Sequence, residues 1–231
     1  MMPESKNIPQ SNSLLDSLNC EVTESETFKK ALSHRSIGRN NNEVLEFLGD
    51  SVLNLVITEE LLKQYPDARE GSLSRLRAYY VRSSTLADIA EDASLGEQLK
   101  LGEGELKSGG FRRRSILADA VEAIIGAVYQ LQGYERAREY VLGVYKSRLQ
   151  SPPDLETLKD PKTRLQEWLQ GRNEVLPEYQ LIEVTGKGHQ QSFTIACIIT
   201  AMDIKTTATA ASRRKAEQQA AADALVVIGN G

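Results

Sequence analysis

At 231 residues the chain has room for one large domain, or for one medium and one small domain. Hydrophobic residues make up 40% and charged residues 26%, which excludes a wholly disordered or collagen-like chain. The formal net charge of −4 argues mildly against a nucleic-acid-binding protein. The charge is uneven, however, because the acidic excess lies before residue 161 and the remainder is slightly basic.

The small numbers of cysteines and histidines exclude several kinds of metal site and disulfide framework. Cys20 and Cys197 are too far apart in sequence to form a CxxC pair, so a disulfide framework or a thiolate zinc site is not expected. His34 and His189 are the two histidines, which excludes a His-rich metal site. No apolar run reaches the roughly 18 residues of a membrane helix, and the polar start lacks the layout of a secretion signal. We therefore expect a cytoplasmic protein with no membrane partner.

The first 150 residues show helical periodicity and no strand signal. Residues 1–20 are predicted to be a flexible arm, and Asn42 is predicted to cap the helix that follows it. Helices are predicted over Ser25–Ser36, Glu43–Gln64, Glu70–Ala90 (as one or two helices), Ser115–Leu131 and Glu135–Leu149.

The predicted helix Glu43–Gln64 is apolar on nearly every side. One stripe comprises Leu45, Leu48, Val52, Leu55 and Val56. Phe47, Leu53 and Ile57 lie outside this stripe, so we expect the helix to be buried and part of its surface to meet another subunit.

The periodicity changes after the Pro-containing segment at 151–154. A short helix is predicted over Thr163–Gln170, followed by strands over Tyr179–Val184, Ser192–Ile199 and Ile204–Ala210 and a helix from Ser212 to Ile228. We therefore predict a multi-domain chain, with an all-α domain (21–150), a linker (151–160) and a small α+β domain of order α-β-β-β-α (161–229).

Acidic residues recur on the two most apolar helices. Glu43, Glu46 and Asp50 fall within about 60° of one another on the first, and Asp119 and Glu122 share a face of the second. Unpaired carboxylates on a buried face lose hydration and repel one another. A bound cation would offset both costs, and oxygen-only ligands select Mg²⁺ or Mn²⁺ over zinc.

Two other interpretations of these acids stay open at this point. They could line a solvated helix face, or they could pair with the basic cluster Arg112, Arg113 and Arg114. A di-iron bundle is disfavoured, because neither histidine has an acid three residues before it.

The last predicted helix, from Ser212, begins with basic residues that could bind phosphate. Arg213, Arg214 and Lys215 lie where the positive end of the helix dipole also points. The loop residues Lys187 and His189 and the helix residues Thr163, Gln166 and Glu167 provide a second polar surface. Cations beside hydrogen-bonding side chains suit duplex RNA, whose wide minor groove displays 2′-hydroxyls. The alternative is that the basic run is only a solvated face.

The motifs resemble those of bacterial ribonuclease III, the double-stranded-RNA endonuclease, over about residues 25–228. The run from Asn42 to Ser51 (NEVLEFLGDS) matches the family's signature helix. Further matches are EGSLSR at 70–75, GELKSGG at 104–110, SILADAVEA at 115–123 and, at the start of a double-stranded-RNA-binding domain, DPKTRLQE at 160–167.

The resemblance implies site residues and a mechanism. The metal ligands would be Glu46, Asp50, Asp119 and Glu122, with Glu43 and Glu70 in supporting catalytic roles. Two active centres in a homodimer would cleave the two RNA strands, leaving short 3′ overhangs with 5′-phosphate and 3′-hydroxyl ends. A water activated by Mg²⁺, for which Mn²⁺ is expected to substitute, would attack phosphorus in line, with no small-molecule cofactor. Precursors of ribosomal RNA and other structured transcripts would be the substrates.

The chain departs from the pattern at a few positions. Glu217 stands where such RNA-binding domains often have lysine, which could shift a phosphate contact to Lys215, and Ala208 and Ala210 replace glycines. A non-enzymatic RNA-binding dimer is the competing hypothesis. The retention of Glu46, Asp50, Asp119 and Glu122 speaks against it, because a pure binder has no use for repelling acids.

Overall fold

The structure, a computed structural model, describes residues 14–15, 17–187 and 190–229. Contacts within the chain divide it into two compact units, residues 1–153 and 154–231. The first is helical throughout its described part, and the second holds a three-stranded sheet with helices. The predicted fold class is thereby confirmed.

The described part of the first unit contains eight α-helices. They are α1 (Cys20–Thr23), α2 (Glu26–Ala31), α3 (Glu43–Gln64), α4 (Glu70–Val81), α5 (Ser83–Asp92), α6 (Glu103–Lys107), α7 (Arg114–Val144) and α8 (Lys146–Gln150). The predicted bounds of α3 coincide with those observed, while Glu70–Ala90 forms two helices. Helix α7 joins the two predicted segments across Gly133, whose φ of 77° marks a kink.

Helices α3 and α7 approach each other at their backbones. A Cβ on Gly49 would lie 1.7 Å from the carbonyl oxygen of Glu122, and a Cβ on Gly126 would lie 2.1 Å from that of Leu45. These distances are far inside van der Waals contact, so only glycine fits at either position. The two acid-bearing helices therefore pack more closely than larger residues would allow.

The start of α3 differs from the sequence prediction. Asn42 precedes the helix, but its side chain makes no capping hydrogen bond. The Asn41 side chain instead accepts a hydrogen bond from the backbone N–H of Glu43 at 3.0 Å. The backbone N–H of Asn42 donates to the carbonyl of Ser33 at 2.8 Å, so Asn42 is held by the preceding segment.

Helix α3 is buried on one side only. Leu53 and Ile57 are fully buried within the chain, so of the three residues outside the predicted stripe only Phe47 is left on the surface where another subunit could meet it. Four apolar side chains of α3 are instead exposed by half or more: Val44, Phe47, Leu55 and Leu62. At 100° per residue they share one face of the helix, which we call the α3 stripe.

Part of the predicted N-terminal arm is packed against the helices. Leu14 is buried, and its carbonyl accepts a hydrogen bond of 2.8 Å from the buried hydroxyl of Tyr140 on α7. The amide of Gln132 donates to Asn19 at 3.4 Å. Residues 1–13 and 16 of that arm lie outside the described residues.

The second unit has the predicted order of elements. Helix α9 (Leu155–Leu158) falls inside the predicted linker, and α10 (Pro161–Gln170), β1 (Glu178–Thr185), β2 (Ser192–Ile199), β3 (Ile204–Ala210) and α11 (Arg213–Gly229) follow. The strands pair antiparallel in the order β1-β2-β3, with a bulge between Leu181 and Glu183. Leu165, Leu169, Cys197 and Ile199 form its core with the alanines of α11.

No helix in the described part of the chain combines the length and apolar character needed to cross a bilayer.

Candidate active site

Three carboxyl groups from two helices converge. Oxygen atoms of Glu46 on α3 and of Asp119 and Glu122 on α7 all lie within 4.8 Å of one another. The i, i+3 spacing places Asp119 and Glu122 on one face of α7. The close approach at Gly49 and Gly126 then brings that face to Glu46. These three residues are hereafter the acidic cluster.

The environment of the cluster disfavours charge on its members. Burial, followed by the negative charges of Asp50, Glu46 and Asp119, raises the pKa of Glu122 from 4.5 to about 8. Burial, then Asp119 and Glu43, likewise raises the pKa of Glu46. Burial also raises the pKa of Asp119, against the opposing charges of His34 and Arg35. A divalent cation bound among these oxygens would relieve both the desolvation and the repulsion.

Asp50, a predicted ligand, lies beside the cluster rather than in it. Its side chain accepts a hydrogen bond of 2.8 Å from the amide of Asn54, one turn further along α3. Its charge is nevertheless the largest electrostatic contribution to the raised pKa of Glu122.

The two predicted supporting acids are placed differently. Glu43 lies one turn before Glu46, where it accepts a hydrogen bond of 3.2 Å from Asn41 and faces Arg35 at 3.8 Å. Glu70 begins α4 and lines a groove with Thr58, Leu61 and Leu62, near the opposite end of α3. That end is roughly 20 Å from Glu46, given the 1.5 Å rise per residue of a helix. Glu70 therefore does not reach the cluster of its own chain.

The three arginines that could have neutralised the acids have other partners. Arg112 lies over the ring of Phe111, with 5.0 Å between its Cζ atom and the ring centroid. Arg113 pairs with Glu105 at 2.7 Å.

Arg114 pairs with Asp88 and, at 2.6 Å, with Glu91, both on α5. The interpretation that these arginines neutralise the acids is therefore wrong.

Arg35 is a residue of this site that the sequence analysis did not identify. It lies in the one-turn 3₁₀ helix Arg35–Ile37, before α3. Its positive charge acts on both Glu46 and Asp119. No short-range pattern could have revealed this, because Arg35 and Asp119 are 84 positions apart in the sequence and only the fold brings them together.

A cationic cleft forms where α11 begins in the second unit. Arg214 and Lys215 are exposed and line it, together with Pro161 at the start of α10 and Thr209 at the end of β3. Ser212 Oγ accepts a hydrogen bond of 3.3 Å from the backbone N–H of Lys215. The cleft thus joins two side-chain cations to a helix N-terminus, the arrangement expected at a phosphate site.

Arg213 is less available than its neighbours, because it pairs with Glu217 at 3.0 Å. Glu217 also accepts from Lys162 at 2.8 Å, and these two cations hold its pKa below the usual value. Glu217 therefore connects α10 to α11 through its ion pair with Lys162.

Other predicted RNA-contacting residues are also engaged within the unit. Thr163 donates its hydroxyl proton to Asp160 at 2.9 Å, and Glu167 accepts from Lys159 at 2.5 Å. Gln166 is half-buried and Lys187 is exposed. His189 lies outside the described residues.

The chain is similar in sequence to known proteins along most of its length. Residues 24–149 match the family model described as Ribonuclease-III-like, and residues 161–228 match the double-stranded RNA binding motif. Ribonuclease 3 of Vibrio cholerae is 51% identical over 223 residues, covering 96% of this chain and 99% of the relative. Ribonuclease 3 of Hahella chejuensis is 54% identical over 199 residues, covering 86% of this chain and 88% of the relative.

Solved structures resemble the first unit. The nuclease domain of ribonuclease III from Campylobacter jejuni aligns with a TM-score of 0.53 and 37% identity, over 61% of this chain and 98% of that domain. A second structure of that nuclease domain, described as showing flexibility in a region involved in dimer formation, aligns with a TM-score of 0.51 and 38% identity, over 55% of this chain and 96% of its own.

Proposed function

The chain belongs to the bacterial ribonuclease III family of double-stranded-RNA endonucleases, and from this premise we propose how its residues carry out the reaction. The proposal is Mg²⁺-dependent hydrolysis of RNA phosphodiesters, leaving 5′-phosphate and 3′-hydroxyl ends and short 3′ overhangs. The acidic cluster is the observation that carries it. Residues 21–150 would be the nuclease domain and 161–229 the RNA-binding domain, joined by residues 151–160. Cytoplasmic precursors of ribosomal RNA and other structured transcripts would be the substrates.

The residues present fit a divalent metal ion. The cluster offers carboxylate oxygens only, which suits Mg²⁺ or Mn²⁺. Burial raises the pKa values of Glu46, Asp119 and Glu122, and repulsion from neighbouring acids adds to the rise at Glu46 and Glu122; a bound cation would favour the ionised form of all three. Asp50 would complete the ligand set from the next turn of α3.

The protein residues have distinct parts in the proposed reaction. When bound, Mg²⁺ would supply Lewis-acid chemistry at the scissile phosphate. Glu46 from α3 and Asp119 and Glu122 from α7 would hold the ion between the two closely packed helices, and Asp50 would join them from the next turn of α3. Glu43 supports this set from the N-terminal turn of α3.

A homodimer would account for two further features. The α3 stripe exposes Phe47 at 77% and Val44 at 70%, which is costly for large apolar side chains on one helix face. A second copy with the same stripe would cover it through a two-fold interface. Because Glu70 does not reach its own acidic cluster, any contribution to cleavage would be to the cluster of the partner subunit.

The second unit would hold duplex RNA by its backbone. Arg214 and Lys215 would bind phosphates, while Gln166, Thr163, Glu167 and the loop with Lys187 and His189 would meet 2′-hydroxyls in the minor groove. Thr163 and Glu167 would exchange their present partners for RNA. Such contacts recognise duplex shape rather than sequence.

Cleavage and binding of a radiolabelled duplex test the proposal together. With Mg²⁺ the wild type should cut, in excess chelator it should not, and with Ca²⁺ it should bind without cutting. Asp119→Asn should lose cleavage and keep duplex binding in Ca²⁺, whereas the control Asp92→Asn, at an exposed position that pairs with Arg148, should behave as wild type. Full cleavage in chelator, or normal cleavage by Asp119→Asn, would refute the metal assignment.

A further inference from the structure

Arg35 lies at the edge of the acidic cluster, and its closest carboxylate is that of Glu43, outside the cluster. Its guanidinium is 3.8 Å from the carboxylate of Glu43, and their side chains are 70% and 53% exposed. Burial raises the pKa values of Glu46 and Asp119, and the charge on Arg35 works against that rise at both. Arg35 is therefore a cation that faces the cluster from the solvent side.

The backbone that carries Arg35 is held firmly. The N–H of His34 donates to the carbonyl of Lys100 at 3.0 Å. The N–H of Gly102 donates to Ser36 Oγ at 2.8 Å, and a Cβ on Gly102 would lie 2.5 Å from the carbonyl oxygen of Ser36. Bonds on both sides of Arg35 thus fix the start of its side chain relative to the cluster.

The side chain, by contrast, is held loosely. A separation of 3.8 Å is beyond hydrogen-bonding distance, and an exposed ion pair of this kind contributes little stability. Glu43 also accepts a hydrogen bond from Asn41 at 3.2 Å, so it keeps a partner if Arg35 moves away. Exchange of Glu43 for a stronger acceptor would therefore cost little.

A substrate phosphate is such an acceptor. Arginine binds phosphate through two parallel N–H···O bonds, which are shorter and stronger than the present contact with Glu43. The RNA backbone is negatively charged and must also approach several carboxylates, whose combined negative charge exceeds the positive charge of one divalent ion. A cation at the edge of the cluster would lower that repulsion where the RNA backbone arrives.

From this arrangement we infer that Arg35 binds the RNA at the cleavage site, its guanidinium leaving Glu43 to take a phosphate at or beside the scissile bond. The inference rests on the proposed function, because it places the scissile phosphate at the acidic cluster. Glu43 then acts as the resting partner that keeps Arg35 over the cluster between substrates.

The test compares Arg35→Ala with Arg39→Ala, which removes an exposed arginine from the same loop. Single-turnover cleavage of a duplex is measured in Mg²⁺, and binding is measured in Ca²⁺ across a salt series. Arg35→Ala should lower the cleavage rate constant about 10–100-fold and the affinity about 3–10-fold, with a salt slope smaller by about one. Arg39→Ala should stay within about twofold of wild type. Arg35→Lys should keep the salt slope and recover part of the rate, because an ammonium cannot form the paired bonds.

Each outcome decides the inference. A rate for Arg35→Ala within about twofold of wild type, or equal losses in both Ala variants, would overturn it. Should Arg35→Ala melt more than about 5 °C below wild type, Arg35→Gln, which keeps a long polar side chain, is measured in its place and judged by the same limits. A wild type that fails to cut in Mg²⁺ would count against the proposed function instead.

Discussion

Replacement of Glu122 by glutamine should stabilise the metal-free protein in a pH-dependent way. In the unfolded chain this carboxyl group ionises near its usual pKa of 4.5, whereas in the folded chain burial and then Asp50, Glu46 and Asp119 hold the pKa at about 8. As pH rises between these values, the unfolded state loses the proton first, so the folded state loses stability. Glutamine resembles the protonated acid and removes this loss.

The size of the effect follows from the same shift. At about 1.4 kcal/mol per pH unit, a rise of this extent corresponds to an upper bound of roughly 5 kcal/mol. The Glu122 carboxyl group is only partly buried, so solvent screening reduces the figure, and we expect about 2 kcal/mol. For a protein of this length that is about 4–8 °C in Tm.

Thermal unfolding in chelator at pH 5, 6.5 and 8 measures the difference directly. Glu122→Gln should melt no more than about 3 °C above wild type at pH 5, where the unfolded carboxyl group has only begun to ionise, and clearly further above it at pH 8. Added Mg²⁺ should raise the Tm of wild type more than that of the variant, because the variant lacks one ligand. Glu24→Gln, at an exposed position of the same unit, is the control and should show neither effect. A Tm difference between Glu122→Gln and wild type that is the same at pH 5 and pH 8 would refute the reasoning.

Three further predictions concern packing, RNA binding and assembly. Gly49→Ala should lower the free energy of unfolding by about 1–3 kcal/mol and abolish cleavage, because the added Cβ would overlap the backbone of α7. The control Gly104→Ala has open space around the added Cβ and should change neither property. Denaturant unfolding and duplex cleavage measure the two effects. Arg214→Ala combined with Lys215→Ala should reduce the salt slope of duplex binding by about two for unrelated sequences, and an unchanged slope would show that the cationic cleft is not the phosphate site. Leu55→Glu should yield a monomer in sedimentation at micromolar concentration, and an intact dimer would place the interface elsewhere.

Much of the second unit could be predicted from local sequence. The bounds of Ser192–Ile199 and Ile204–Ala210 are those observed, because β-branched residues and flanking turns specify a strand locally. The side-chain partners could not be predicted in this way. Glu217 joins Lys162 and Arg213, residues 55 and 4 positions away, and only the packing of α10 beside α11 brings all three together.

The sequence by itself determined the acidic faces of α3 and α7, because the spacing of Asp119 and Glu122 sets their common direction in any α-helix. Only the tertiary structure decided how those faces meet. The crossing depends on two glycines, Gly49 and Gly126, that are 77 positions apart, and on the shape of both helices around them. The tertiary structure also decided that Glu70 lies far from the acidic cluster of its own chain and that Arg35 lies beside that cluster. Such placements depend on packing between residues distant in the chain rather than on any local pattern.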